Sequence, residues 1–231
     1  MTSGYFEIEN ISGGYGAGRV VRDVSISIGC GEVVCLLGRN GVGKSTLAKL
    51  ACGFLRPMSG VVRLAGAEIS GKRPSENLGL GLTFCPQERV VFDDLTVAEN
   101  LSLMRDSRRL DEFESYFRVF PRLFERRNQH AGTLSGGEKK LLSFVRGLSE
   151  GANIIVIDEP TEGVQFENVV HMADLIVTQK RSGVSFLVIE QNLTLVDRVA
   201  DRIVIMDHGE VVLSAAASEV DRQDILAHLT V

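Results

Sequence analysis

Residues that often mark a special chemistry are scarce in this 231-residue chain, which has no tryptophan, three tyrosines, five prolines and four cysteines. Cys30, Cys35, Cys52 and Cys85 show no CxxC spacing and the four histidines are scattered, so neither a zinc site nor a disulfide framework is indicated. Unpaired cysteine is habitually buried, so all four thiols are expected to be buried and reduced, as in a cytosolic compartment. Positive charge is not in surplus either. Lysine and arginine number 25 against 30 acids, a net charge of −5, and no global basic field draws the chain to nucleic acid or to an anionic membrane surface. No apolar run approaches the roughly 18–20 residues of a membrane helix, and residues 1–7 lack the basic and apolar regions of a signal peptide. Any membrane part is therefore expected on another chain. Internal repeats and low-complexity tracts are missing too. What is present, 44% hydrophobic and 24% charged residues, suffices for one packed domain with inserted subregions.

Short β-branched runs alternate with longer helical patterns, which predicts an α/β fold. Residues 5–11, 24–28 and 61–64 read as strands punctuated by Gly13, Gly14, Gly16 and Gly18, and predict an antiparallel edge sheet. Residues 33–37, 81–85, 153–157, 185–189 and 202–206 are nearly continuous apolar runs, suited to central parallel strands covered on both faces. Residues 44–51 place Leu47, Leu50 and Ala51 on one helical face, and Val169, Val170, Ala173, Ile176 and Val177 form a second stripe. From about Thr96 to Glu150 strand patterning is lost. Thr96, with Glu99 three residues on, has the form of a capping box and predicts a helical insertion reaching Ser149. Asp207-His208-Gly209 between two apolar runs is a hairpin signal.

Gly38-Arg39-Asn40-Gly41-Val42-Gly43-Lys44-Ser45 matches the phosphate-binding loop pattern and lies between a predicted strand and a predicted helix, the context the chemistry needs. Glycines let the backbone curl so that successive amides face a phosphate at a helix N-terminus. Lys44 neutralises phosphate charge, and Ser45 can ligate magnesium. The apolar run 154–157 ends in Asp158-Glu159. Burying two carboxylates there is costly without a cation, which a nucleotide-bound Mg2+ supplies. Asp158 then holds the metal through water, and Glu159 is placed as a general base that polarises the attacking water. Leu134-Ser135-Gly136-Gly137-Glu138 precedes a helix with Leu141, Leu142, Val145 and Leu148 inward. Taken alone it is an ordinary helix cap; with exposed amides and a favourable dipole it is also a second anion site.

In this order and at these spacings, the three motifs resemble those of the nucleotide-binding subunits of ABC transporters, over nearly the whole chain. The resemblance implies a P-loop NTPase, RecA-like core with a mostly parallel sheet, an antiparallel β subdomain and a helical insertion. It divides the chain into a core of residues 1–86 and 151–215, a helical subdomain of residues 87–150 and a C-terminal tail of residues 216–231. It also implies a head-to-tail dimer with two ATP molecules at the interface, in which Ser135, Gly136 and Gly137 reach the partner's nucleotide. Gly38, Asn40, Gly41, Gly43, Lys44, Ser45 and Thr46 hold the phosphates of the chain's own ATP. Tyr15 resembles the aromatic that stacks on adenine. Gln87 resembles the glutamine that contacts Mg2+ and water and links the site to membrane subunits. Ser45, Gln87 and Asp158 form the expected metal set.

Departures from the family are equally informative. Gln191 stands where a histidine usually meets the γ-phosphate, and glutamine donates a hydrogen bond without carrying charge. Gln165 replaces the usual aspartate after the acidic pair, and Lys139-Lys140 replace glutamines after the signature. Pro160-Thr161-Glu162-Gly163, Leu187 to Asn192, and Phe120-Pro121-Arg122-Leu123 followed by Glu125-Arg126-Arg127 are together similar to the ATPases of branched-chain amino acid importers, whose relatives take urea and short amides. In that branch glutamine at the switch position is usual. The resemblance implies catalytic roles for Glu159, Gln191 and Gln87. The implied partners are a second ATPase subunit, two transmembrane permease subunits and, indirectly, a solute-binding protein, on the cytoplasmic face of the inner membrane. A non-transport ABC ATPase and a cassette that binds ATP without hydrolysing it are the competing readings.

Overall fold

A computed structural model describes residues 4–88, 90–103 and 109–229; the part of the expected insertion at residues 104–108 and the last two residues of the expected tail lie outside the described residues. The chain opens with β1 (Phe6–Gly13), β2 (Val21–Ile28) and β3 (Val33–Leu37), followed by α1 (Lys44–Ala51). Next come β4 (Ser59–Leu64), β5 (Ala67–Glu68), α2 (Pro74–Gly79) and β6 (Leu82–Cys85). A helical stretch contains α3 (Val97–Ser102), α4 (Glu114–Val119), α5 (Pro121–Glu125) and α6 (Gly136–Ser149). The chain then returns to alternation through β7 (Ile154–Asp158), α7 (Phe166–Arg181), β8 (Ser185–Ile189), α8 (Leu193–Val199), β9 (Arg202–Asp207), β10 (Glu210–Ala216) and α9 (Arg222–Leu229).

Two sheets result. One has the order β2-β1-β4-β5 and is antiparallel throughout; the other has the order β10-β9-β3-β8-β7-β6, parallel except for the β9–β10 hairpin at its edge. The five continuous apolar runs are the five parallel strands, and the three glycine-punctuated runs belong to the antiparallel sheet. β3 makes the layering plain, because successive side chains of a strand point to opposite faces. Val33, Cys35 and Leu37 join a core with Leu142 and Val145 of α6 and Met172 and Ile176 of α7. Val34 and Leu36 face the other way, onto Leu47 and Leu50 of α1 and Ile8 and Ile26 of the antiparallel sheet. A strand covered on both faces has no polar side, which is why its sequence does not alternate.

Within the helical stretch, the Thr96 side chain accepts from the Glu99 N–H, and Glu99 returns the bond to the Thr96 N–H, as the capping-box reading predicts. α6 ends at Ser149, and Leu141, Leu142, Val145 and Leu148 are all buried. One expectation needs correcting: Cys35, Cys52 and Cys85 are buried, but Cys30 is exposed. It sits in the Gly29–Gly31 turn between β2 and β3, with its thiol 3.7 Å from the Gly183 carbonyl.

Candidate nucleotide site

The phosphate loop, the Asp158–Glu159 pair and Gln191 gather at the carboxyl ends of the parallel strands. β3 runs into the 38–43 loop and α1, β7 ends at Asp158, and β8 leads to Gln191. The loop turns sharply because Gly41 (φ +84°) and Gly43 (φ +109°) occupy left-handed backbone that a side chain would strain. α1 starts directly after Gly43 with no side-chain cap, so its first amides are left for a ligand. Lys44 is 4% exposed, and its ammonium folds back onto the Gly38 and Arg39 carbonyls at 2.8 and 2.9 Å. Burial pushes the Lys44 pKa down, against the pull of Glu159, Asp158 and Glu190.

Ser45 donates its hydroxyl to Asp158 Oδ1 at 3.1 Å. Asp158 is 2% exposed, and its Oδ2 is buried with no hydrogen-bond partner. Burial raises its pKa to about 6, the Ser45 bond notwithstanding. A buried carboxylate oxygen without a partner, next to a serine hydroxyl, is an arrangement a divalent cation would satisfy. Ser45, Asp158 and Gln87 therefore fit Mg2+ in the chemistry of their donors.

Glu159 stands at the centre. Gln87 Nε2 donates to its Oε2 at 2.6 Å and to Glu162 at 3.4 Å; Gln191 Nε2 reaches its Oε1 at 3.4 Å and Asn40 Oδ1 at 2.5 Å. The Lys44 ammonium is 4.0 Å from Oε1. Glu159 itself has φ +47°, left-handed backbone that costs a non-glycine residue about 1–2 kcal/mol and that persists where neighbours over-determine it. Here the Glu159 N–H is held by the Ile189 carbonyl at 2.9 Å. An open cavity of about 320 Å³ is lined by Asn40, Gly41, Gly43, Lys44, Ser45, Thr46, Gln87 and Glu159. Tyr15 lies on the turn after β1, 53% exposed, its hydroxyl 3.3 Å from the Lys49 ammonium. It is not packed into the sheet, so its ring is available for stacking.

Ser135, Gly136 and Gly137 are not brought to this cavity. They open a separate cleft of about 800 Å³, with Arg122, Arg126, Lys140 and residues 162–165. Ser135 caps α6: its hydroxyl accepts from the Glu138 N–H at 3.3 Å, and Glu138 accepts from the Ser135 N–H and O–H, each at 2.9 Å. Against the cost of its burial, these bonds and Arg126 hold the Glu138 pKa below the usual range. Gly137 must be glycine on contact grounds, since a Cβ there would lie 2.6 Å from the Gly163 carbonyl oxygen.

Sequence reasoning noted Lys140 only as a departure and gave Glu190 no role of its own. The Lys140 ammonium donates to the Gln87 carbonyl at 2.8 Å and the Glu159 carbonyl at 3.0 Å, tying α6 to both loops. Its spacing after Ser135 puts it one helical turn inside α6, a signal readable only once the helix start is known. Gln165 is exposed and leaves its α7 without a side-chain cap.

The profile of the ABC transporter family matches residues 21–162. The high-affinity branched-chain amino acid transport ATP-binding protein BraG of Pseudomonas aeruginosa is 34% identical over 209 residues, which cover 89% of this chain and 90% of that protein. The lipopolysaccharide export system ATP-binding protein LptB of Acidithiobacillus ferridurans is 31% identical over 87% of this chain and 86% of its own length. Among solved structures, a nucleotide-free ATP-binding cassette from an ABC transporter superimposes with a TM-score of 0.81 at 27% identity, covering 96% of this chain and 95% of that one.

Proposed function

The chain belongs to the ABC transporter family and is an ATP-hydrolysing subunit; from that premise we propose that it powers an importer of small solutes, with branched-chain or hydrophobic amino acids as the first candidates. The observation that carries the hydrolytic assignment is the convergence of Gln87 and Gln191 on Glu159, beside Lys44 and the Ser45–Asp158 pair. Glu159 acts as general base on the attacking water. Gln87 and Gln191 orient its carboxylate, and Gln191 donates toward the γ-phosphate without adding charge. Lys44 and the amides of residues 41–46 hold the phosphates, and Tyr15 stacks on adenine. Ser45, Asp158 and Gln87 would hold Mg2+, which when bound supplies charge neutralisation across the β- and γ-phosphates.

Ser135, Gly136 and Gly137 serve the nucleotide of a second ATPase subunit, a copy or a paralogue, in a head-to-tail dimer. Two permease subunits dock against residues 87–101 and their surroundings, where Phe92 is 58% exposed with Arg146 at 5.8 Å from its ring. That assembly places the chain on the cytoplasmic face of the inner membrane, with a solute-binding protein acting indirectly on the other side. The same reading assigns residues 1–86 and 151–215 to the core, 87–150 to the helical subdomain and 216–231 to the tail. Similarity to BraG favours amino acids as the solute; urea and short amides are the second reading, on the motifs shared with that branch.

Magnesium-dependent ATP hydrolysis by the purified chain, beside Glu159→Gln and Gln191→His, tests the enzyme assignments. Glu159→Gln is expected to lower kcat about 100-fold or more while retaining ATP binding. Unchanged kcat in that variant would remove Glu159 from the role of base. Uptake of leucine against urea by vesicles carrying the chain with its permeases then decides the solute.

A further inference from the structure

Glu190 follows directly on β8, is 3% exposed, and was assigned no role above. A buried carboxylate is costly unless hydrogen bonds meet its charge. Here four donors do so. Oε1 accepts from the Thr161 N–H at 3.0 Å and from the Thr161 hydroxyl at 2.5 Å; Oε2 accepts from the Gln191 N–H at 2.7 Å and the Asn192 N–H at 2.8 Å. One oxygen thus serves the loop after β7 and the other the loop after β8. Those are the loops that carry Glu159 and Gln191, whose side chains lie 3.4 Å apart at the limit of a hydrogen bond. The backbone is also joined there by the Glu159 N–H, which donates to the Ile189 carbonyl. A residue that merely filled space here would be replaceable by an apolar one at no cost, whereas two oxygens divided between two loops act as a strap.

We propose that Glu190 is a positioning residue for hydrolysis, its carboxylate strapping the Glu159 loop to the Gln191 loop and so fixing the reach between the carboxylate and the switch amide. The proposal rests on the assignment of Glu159 as general base. It explains how Glu159 keeps a left-handed backbone: Thr161, two residues on, is pinned through both its amide and its hydroxyl. Aspartate at position 190 would still accept locally from the amides one and two residues on, as short carboxylates do in turns, but would fall one methylene short of Thr161. Glu190→Asp therefore separates the strap from the local turn, and Thr161→Val removes the hydroxyl half of the strap from the other side.

The test measures ATP hydrolysis by the full chain for wild type, Glu190→Asp, Thr161→Val, Thr161→Ser and the Glu190→Asp/Thr161→Val double variant. Amide hydrogen exchange of peptides spanning 158–163 and 188–193 is followed in the same set. Glu190→Asp and Thr161→Val are each expected to lower kcat about tenfold with KM for ATP within about twofold, as loss of a bond to a charged group implies. The double variant should be no worse than Glu190→Asp alone, because the hydroxyl bond that Thr161→Val removes is already lost when position 190 is shortened. Thr161→Ser should stay near wild type. Exchange in 158–163 should quicken in Glu190→Asp and Thr161→Val and not in Thr161→Ser. Unchanged kcat, multiplying effects in the double variant, or a fall in kcat matched by general loss of thermal stability would overturn the proposal. If Glu159→Gln retained turnover, the base assignment would fail by itself. Exchange would then decide the strap alone, and unaltered exchange in 158–163 would sink it.

Discussion

Around Lys44 the charged groups are sunk into the chain and turned toward one another, whereas the helix cap at Ser135 stands open, with Arg126 holding Glu138 beside it and Lys140 reaching away to the Gln87 and Glu159 carbonyls. Lys44 and Asp158 are 4% and 2% exposed, and Glu159 is approached by both Gln87 and Gln191. Ser135 and Gly136 are exposed, and the Ser135 hydroxyl is engaged with Glu138 of its own helix. The first region has the groups for chemistry; the second has a helix N-terminus and small residues, the requirements for gripping an anion delivered from outside. On the head-to-tail dimer proposed above, the two regions are the two halves of one composite site.

The largest effect expected breaks that comparison outright. Lys44→Ala and Gly137→Ala should each abolish turnover, about 100-fold or more, the first by loss of phosphate charge compensation and the second by collision of its Cβ with the Gly163 carbonyl. Mixed in equal amounts, the two variants should recover a substantial part of wild-type hydrolysis, since one of the two composite sites in the mixed dimer carries neither lesion. Absence of recovery would mean that each chain hydrolyses alone. Next in size, Tyr15→Ala should raise KM for ATP about tenfold with kcat little changed, the value of one aromatic stacking contact; an unaltered KM would return Tyr15 to a plain surface residue.

Lys140→Met sharpens the comparison by cutting the link between the regions. Losing two charge-assisted bonds to the Gln87 and Glu159 carbonyls should lower kcat several-fold, about three to ten, in a steady-state assay. The smallest effect concerns the open region by itself. Glu138→Ala should cost about 1 kcal/mol in urea unfolding at pH 7 through loss of the cap. Because the folded pKa of Glu138 is depressed, its contribution is present above the ordinary 4.5 and is lost as pH falls through the folded value. The difference from wild type should therefore shrink on going from pH 7 toward pH 3. A difference constant across that range would place the cap's value in packing, not charge.

Most of the fold was legible because its elements announce themselves locally. Residues 44–51 and 185–189 were delimited to the residue by a phosphate loop before one and unbroken apolar runs in the other. Strand starts were less clear: β2 begins at Val21, three residues before the expected 24, because Val21 pairs with Gly13 of β1 across a register shift that carries Arg22 and Asp23 into the strand, and not because their own pattern demands it. The site followed the same division. Lys44, Ser45, Asp158 and Glu159 are contiguous motifs, so their side chains could be named from spacing. Lys140 and Glu190 act through carbonyls and amides of distant loops, at sequence separations of 19 to 53 for Lys140 and 29 for the Glu190–Thr161 contact. A backbone carbonyl or amide has no residue type, so nothing in the sequence marks it as the partner.

The uneven burial of the four thiols gives this chain a ready-made reporter position. Cys35 and Cys85 are sealed in the core, and burial pushes the Cys85 thiol up to about 12, far from the thiolate that reacts with a maleimide. Cys30 alone is exposed, at the amino end of β3, the strand whose carboxyl end feeds the phosphate loop. A fluorophore or spin label offered to the native protein should couple there first, with no engineered substitution and at the opposite end of the strand from the nucleotide. In a protein without tryptophan, two such labels would give a distance between the two chains of the proposed dimer.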